Sequence, residues 1–189
     1  AHLPRVDAIG GSAAGIYLNN QPRIASLFRG ISQENFNQHI RFMFERLQAE
    51  WDGVPFTVVN DGDVTALAGA MALGQNGVLG ISMGTSLAAG YVAPDGSITG
   101  WLNELAFTPV DYAENAPSDE WSKDRGCGVN YMSQQAVARL IPASGLSVDQ
   151  QQSAPEQLEA VQSYMQQGDE RAANIYYTIG TYLGYTLAH

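Results

Sequence analysis

Residues 55–74 read PFTVVNDGDVTALAGAMALG, and residues 75–100 continue QNGVLGISMGTSLAAGYVAPDGSITG. Two apolar runs in this stretch each end in a polar, glycine-bearing turn. Val58-Val59 leads into Asn60-Asp61-Gly62-Asp63, and Val78-Leu79-Gly80-Ile81 leads into Ser82-Met83-Gly84-Thr85-Ser86. Short apolar runs bounded by turn residues predict strands. The small-residue segment between them predicts a helix, so the fold class is α/β. In open α/β sheets ligands collect beyond the carboxyl ends of the strands. These two turns are therefore where chemistry is expected.

The first turn supplies a carboxylate, Asp61, at the start of a helix predicted from about Val64 to Leu73, with Gly74 as its C-terminal stop. A carboxylate there can take a proton from an alcohol, and Asn60 can hydrogen-bond a neighbouring hydroxyl. Asp61 or Asp63 can equally serve as the cap of that helix, and the residues alone leave both readings open. The second turn supplies Gly84, Thr85 and Ser86. A glycine lets backbone N–H groups approach an anion, and the hydroxyls add donors. The competing reading is hairpin punctuation, with Pro94-Asp95-Gly96 as the next turn.

The order of these pieces resembles the sugar kinases of the ROK family, within the actin–hexokinase superfamily. In that family a strand ending in Asn-Asp and followed by an Ala-rich helix carries the catalytic base. A Gly-Thr turn between the next strands binds ATP phosphate, and a hairpin then leads to Gly-Glu-Leu-Gly-His. Here that last motif reads Asn103-Glu104-Leu105-Ala106-Phe107. The resemblance extends more weakly over most of the chain. It implies a ribonuclease H-like, actin-like ATPase fold, incomplete here, with a mixed sheet and flanking helices. Residues 1–73 would complete a first lobe, and residues 74–189 would form a second. It also implies a small-molecule sugar, ATP and Mg²⁺ as partners, a cytoplasmic setting, and room for a homodimer. Asp61 would be the base. Asn60 and Glu104 would position the sugar, and Gly84, Thr85 and Ser86 would hold phosphate oxygens.

Composition agrees with a packed, non-membrane domain. The chain has 189 residues, 45% of them hydrophobic, and no apolar run approaches the length of a membrane span. The formal net charge is −10. An acidic chain repels phosphate backbones, so nucleic-acid binding by this segment is not expected. One cysteine, Cys127, rules out an intrachain disulfide framework and fits a reducing compartment. The sequence opens Ala1-His2-Leu3-Pro4 and stops at Ala188-His189 inside an apolar periodic run, which reads as an internal fragment. The Asp-Gly-Gly-Thr phosphate loop that opens ROK proteins and their later Gly-Gly adenosine motif are not found in it.

Elsewhere, Val6-Asp7-Ala8-Ile9 predicts a strand entering a loop over Gly10 to Gly15. The spacing is not G-x-G-x-x-G. By resemblance this loop lies near the sugar, which makes Gly11 and Ser12 candidate contacts. Ser32 to Trp51 predicts an amphipathic helix, with Ser32 as its cap and Phe36, Ile40, Phe44 and Leu47 on one face. Gly77 to Thr99 predicts a meander of short strands, and Ile98-Thr99-Gly100-Trp101 leads on to Glu104. Ala113 to Asp124 predicts a surface loop, followed by a helix from about Tyr131 to Leu140. ROK proteins often carry a Cys-x-Cys-Gly-x-x-Gly-Cys zinc motif here, closely followed by a sugar-binding Glu. Only Cys127 remains, with Arg125, Tyr131 and Met132 at other motif positions and Gln134 where the Glu would fall. One thiolate does not make a tetrahedral zinc site, so no structural zinc is expected. Two helices should close the chain. Pro155 would lie in the first turn of one, with Leu158, Val161 and Met165 on its apolar face. Ile175, Ile179, Leu183 and Leu187 would line the other.

Two rivals to the kinase reading are the effector-binding module of a ROK-type transcription regulator and a sugar-binding protein without turnover. The departures at Phe107 and Gln134 bear on substrate. A neutral hydrogen bond contributes about 0.5–1.5 kcal/mol, against about 1.5–3 for one to a charged group. A sugar hydroxyl left unpaired against Phe107 costs about 1–3 kcal/mol. Together they disfavour plain glucose and favour a sugar with an apolar or acylated substituent on that side.

Overall fold

Alternating β-branched runs and Ala-rich segments give alternating strands and helices in the computed structural model, which describes residues 5–99 and 103–189. In chain order the elements are β1 (Ile9–Ala13), β2 (Ile16–Leu18), β3 (Gln21–Ile24), α1 (Gln33–Asn35), α2 (Met43–Glu50), β4 (Phe56–Asn60), α3 (Asp61–Leu73), β5 (Val78–Met83), β6 (Leu87–Val92), α4 (Gln134–Ser144), α5 (Ala154–Gln166) and α6 (Glu170–Ala188). Packing divides the described residues into two units. One comprises Ala1–Ile81 with Ala89–Asn103, the other Ser82–Ala88 with Glu104–His189. These units do not part at residue 73, where the lobes were expected to meet. Glycines let the base of the β5–β6 hairpin close on α3: a Cβ at Gly80 would lie 2.4 Å from the Cα of Ala66, and one at Gly90 would lie 2.3 Å from the carbonyl of Gly62.

In the first unit β1 runs parallel to β4, from Ile9 opposite Phe56 to Ala13 opposite Asn60. The loop expected over Gly10 to Gly15 is thus mostly strand, because its small residues fit the ladder beside Val58 and Val59. Only Ala14 and Gly15 turn the chain into β2, which pairs antiparallel with β3. The helix expected from Ser32 to Trp51 is broken. Ser32 does cap its start, accepting from the Asn35 amide at 3.3 Å. The chain then widens into a π turn at Phe36–Ile40 and leaves helical geometry at Phe42 before α2 begins. The break lets the aromatic residues pack as separate contacts. Phe28 meets Phe36, while Phe44 stacks on Phe56 at 5.8 Å and takes the edge of Tyr17 at 6.0 Å. Helix α3 begins three residues earlier than expected and ends as expected at Gly74, in the left-handed conformation. Its Ala66 and Ala70 bury against Val92, with Leu67 and Val78 beside them. Beyond β6 an isolated bridge joins Val92 to Ile98. Gly100 and Trp101 lie outside the described residues.

In the second unit α4, α5 and α6 pack on one another around Val137, Ile141, Leu146, Val161, Ile175 and Ile179. Helix α4 starts at Gln134 rather than Tyr131, because Gly128–Asn130 forms a 3-10 turn and Ser133 caps the helix after it. Pro155 lies in the first turn of α5, within a Ser153–Glu156 capping box. Met165 and Leu187, expected on buried faces, are exposed. On α5 the buried face instead carries Gln157, whose amide donates to the carbonyls of Gln150 and Gln152. Cys127 is buried.

Two glycine substitutions test this packing. At Gly69 in the middle of α3 a Cβ meets only Val78 at 3.7 Å. Gly69→Ala should therefore stabilise the protein by about 0.5–1 kcal/mol through helix propensity. Gly90→Ala drives a methyl into the α3 backbone and should cost about 1–3 kcal/mol or more. Urea denaturation of the two variants reads the opposite signs.

Candidate functional site

The Asn-Asp turn is built by the side chain of Asn60. Asn60 sits in extended backbone as the N-cap of α3, and its Oδ1 accepts the Gly62 amide at 2.7 Å. Its Nδ2 donates to the carbonyl of Gly15 at 2.8 Å. One amide thus closes the start of the helix and ties it to the β1–β2 turn. Asp61 is the first helical residue, and its Oδ1 lies 3.2 Å from the same Gly62 amide. Capping therefore falls to Asn60, not to Asp61 or Asp63, because an N-cap needs extended backbone and these two residues are already helical.

Two residues, Asp63 and Tyr17, feel the charge of Asp61 within this unit. Burial pushes the carboxyl of Asp63 above its usual range; a hydrogen bond from Asn103 pulls the other way, and the charge of Asp61 adds to the rise. Burial first, and Asp61 second, push the phenol of Tyr17 upward. The sequence reading missed Tyr17 and Asn103 and gave Asp63 only a capping role. The two-residue spacing of the carboxylates in one helical turn was a usable signal for Asp63; nothing in the sequence pointed to the other two. Gly11 and Ser12 sit in β1 opposite Val58 and Val59. They are ladder residues rather than loop residues, and the turn residue that meets Asn60 is Gly15.

The second unit holds the other predicted residues. At the β5–β6 tip the Gly84 amide donates to the Ser86 carbonyl at 2.9 Å, and the Gly84 carbonyl accepts the Gln134 amide at 2.9 Å. Gly84 and Gln134 are therefore brought together at the start of α4, with Thr85 and Ser86 exposed on the turn. A helix N-terminus of this kind favours negative charge. Glu104 precedes a 3-10 turn, Leu105–Phe107, and its carbonyl accepts the Phe107 amide and the Thr108 hydroxyl, each at 3.2 Å. The ring of Phe107 packs on Trp121 with centroids 4.9 Å apart.

The segment where the resemblance places a zinc motif is held by hydrogen bonds. Buried Asp119 accepts the amides of Trp121 at 3.0 Å and Ser122 at 2.6 Å. Bridges join Pro109 to Cys127 and Ser118 to Arg125. Burial pushes the Cys127 thiol up, away from the reactive thiolate. Tyr131 donates to the carboxylate of Asp111 under the guanidinium of Arg139, and its phenol is pushed up to about 12, by burial first and then by that bond. Met132 is fully buried. Among the described residues no group of three or more His, Cys, Asp or Glu stands placed to hold a metal, and no helix is long and apolar enough to cross a membrane.

No family model and no curated protein matches the chain. Solved structures do. A ROK hexokinase from Thermus thermophilus superposes with a TM-score of 0.64 at 21% identity, over 97% of this chain and 58% of that one. A ROK-family glucokinase from Streptomyces griseus, solved with glucose and AMPPNP, gives 0.68 at 18% identity, over 97% and 61%. A ROK-family transcriptional regulator, a homolog of the E. coli MLC protein, gives 0.66 at 18%, over 97% and 46%. The chain has the α/β fold shared by these ROK proteins, kinases and regulator alike, as the motif order suggested. It spans roughly half to three-fifths of their length.

The environment of Asp63 sets a pH test. Its folded-state value lies above the ordinary aspartate range, so the folded protein holds that proton more tightly than the unfolded chain does. Its contribution to stability is greatest below the ordinary aspartate value and declines as pH rises through the raised one. Asp63→Asn keeps an acceptor for Asn103 and removes the charge. The stability of the variant relative to wild type should therefore increase between about pH 3 and about pH 7, as read by urea denaturation across that range.

Proposed function

We propose that this chain is the core of an ATP-dependent sugar kinase that transfers the γ-phosphoryl group to a hydroxyl of a hexose or hexose derivative. The observation that carries this reading is the division of labour at α3. Asn60 caps the helix and leaves the Asp61 carboxylate on its first turn, beside Tyr17 and Asp63. Asp61 accepts the proton of the attacking sugar hydroxyl. Glu104 and Gln134 orient the sugar, and Asn60 holds the turn that presents the base. Gly84 and Thr85, with Ser86, hold phosphate oxygens beside the N-terminus of α4, where the helix dipole favours negative charge. Phosphoryl transfer asks for positioning and charge stabilisation more than covalent chemistry, which are the roles this reading gives to these residues.

Mg²⁺ usually keeps several waters and takes one or two carboxylates with the substrate phosphates, so it needs no protein cage. Asp63, whose raised carboxyl reflects burial and crowding by Asp61, fits that demand. When bound, the ion neutralises charge on the transferring group. The fold equally serves the effector module of a regulator, and the likeness to the MLC homolog favours keeping that second reading.

Asp61→Asn in the full-length protein separates the two. If Asp61 is the base, kcat falls by about 10²–10⁴ while sugar affinity changes little. Near-normal turnover by the folded variant would contradict the role. A wild-type protein that binds sugar and turns over no ATP would favour the regulator.

A further inference from the structure

We infer that Tyr17 is a sugar-binding residue, and that its phenol hydroxyl donates a hydrogen bond to a sugar hydroxyl beside the one that faces Asp61. The inference rests on the reading of Asp61 as the base that meets a sugar hydroxyl, and deepens it.

Geometry within the first unit places Tyr17 there. Two side-chain amides clamp the β2–β3 hairpin along β4. At one end Asn20, in the turn between β2 and β3, donates from Nδ2 to the Phe56 carbonyl at 2.6 Å and accepts the Val58 amide on Oδ1 at 2.9 Å. At the other end the Gly15 carbonyl accepts from Nδ2 of Asn60 at 2.8 Å. Tyr17 lies between the two clamps. It is thereby held alongside the last residues of β4, where the chain passes into Asp61. Its ring is seated too: the edge meets Phe44 at 6.0 Å, and Phe44 stacks on Phe56 at 5.8 Å. The hydroxyl folds back over the β1–β2 turn and donates to the Ala14 carbonyl at 3.3 Å, one residue before the carbonyl that Asn60 holds.

The chemistry of the turn asks for such a group. Sugar hydroxyls both donate and accept, whereas an ionised carboxylate only accepts. Asn60 spends Oδ1 on the Gly62 amide and an Nδ2 hydrogen on the Gly15 carbonyl. Tyr17 adds a donor. Burial first, and the charge of Asp61 second, push its phenol upward, so the proton stays on the oxygen at neutral pH. The bond to Ala14 lies at the surface and is longer than the range of about 2.5–3.0 Å usual for an O–H donor. Rotation about the C–O bond turns the proton from Ala14 toward a ligand while the ring stays on Phe44. Tyr17 lies outside the motif order that carries the family resemblance.

The test is calorimetric titration of the full-length protein with glucose, N-acetylglucosamine and N-acetylmannosamine, without ATP, comparing wild type with Tyr17→Phe. The variant keeps the ring and its contact with Phe44, so its urea midpoint should match that of wild type. Its affinity for the sugar that wild type binds best should fall about threefold to tenfold. In turnover the KM for that sugar should rise by the same factor, with kcat and the KM for ATP within about twofold, the pattern of a contact made equally in ground and transition states. Among monodeoxy analogues of that sugar, one should bind wild type and Tyr17→Phe alike, which identifies the hydroxyl contacted. Equal sugar affinity in wild type and Tyr17→Phe, or a loss that every monodeoxy analogue shares, overturns the inference and leaves the role of Asp61 untouched. If wild type binds none of the three sugars, the inference falls together with the sugar reading. A wild type that binds sugar and turns over no ATP counts against the kinase reading alone, since the titration needs no turnover.

Discussion

The side-chain amide of Asn60 is the joint on which the first unit turns. A parallel β1–β4 pair ends with Ala13 opposite Asn60, and the chain must pass at once from strand to helix. That passage leaves the first amides of α3 without partners. Asn60 satisfies Gly62 from one end of its amide and the Gly15 carbonyl from the other. Aspartate could do the first and not the second, since a carboxylate donates nothing. Serine could cap but would not reach the β1–β2 turn with a donor of the same geometry. Closure of the turn by Asn60 leaves the carboxylate of Asp61 outside the capping role, and it allows β6 to settle on the Gly62–Asp63 backbone through Gly90.

The second unit solves a different problem with similar means. A long segment between Thr108 and Cys127 has little regular structure and few apolar residues to bury. It is fixed instead by satisfied polar groups: Asp119 under its own loop, Tyr131 on Asp111, Arg125 on the Glu114 carbonyl. Asp119 and Tyr131 are buried, and buried polar groups stabilise only when their partners are all in place. That makes the loop's geometry definite, and with it the placing of Trp121 against Phe107. The start of α4 is fixed the same way, its Gln134 amide taken up by Gly84.

Much of this was legible in the sequence wherever local chemistry decides the outcome. The strand before Asn60, the stop at Gly74, the turn at Gly84 to Ser86 and the Pro155 start of α5 each come from residues acting on near neighbours. The motif order reached further and pointed to the fold. What the sequence did not disclose depends on distant partners. Gly10 and Gly11 read as loop because glycine usually does, yet β4 makes them strand. The helical period from Ser32 to Trp51 is real in spacing, and the rings of Tyr17, Phe28 and Phe56 pull its two halves into separate contacts. Tyr17 and Asn103 approach the α3 terminus from far along the chain, and no spacing rule connects them to it. The partners of the Asn60 amide, at Gly62 and Gly15, are visible only in three dimensions.

The central claim is that Asn60, and not Asp61, closes the first turn of α3. Amide hydrogen exchange measured residue by residue by NMR tests it directly, comparing wild type with Asn60→Ala and Asp61→Asn. The account predicts that Gly62 and its neighbours in the first turn exchange markedly faster in Asn60→Ala, while Ala66 to Ala70 stay protected. In Asp61→Asn the first turn should remain as protected as in wild type. Loss of protection in Asp61→Asn, with an unchanged first turn in Asn60→Ala, would contradict it and return Asp61 to the role of a cap.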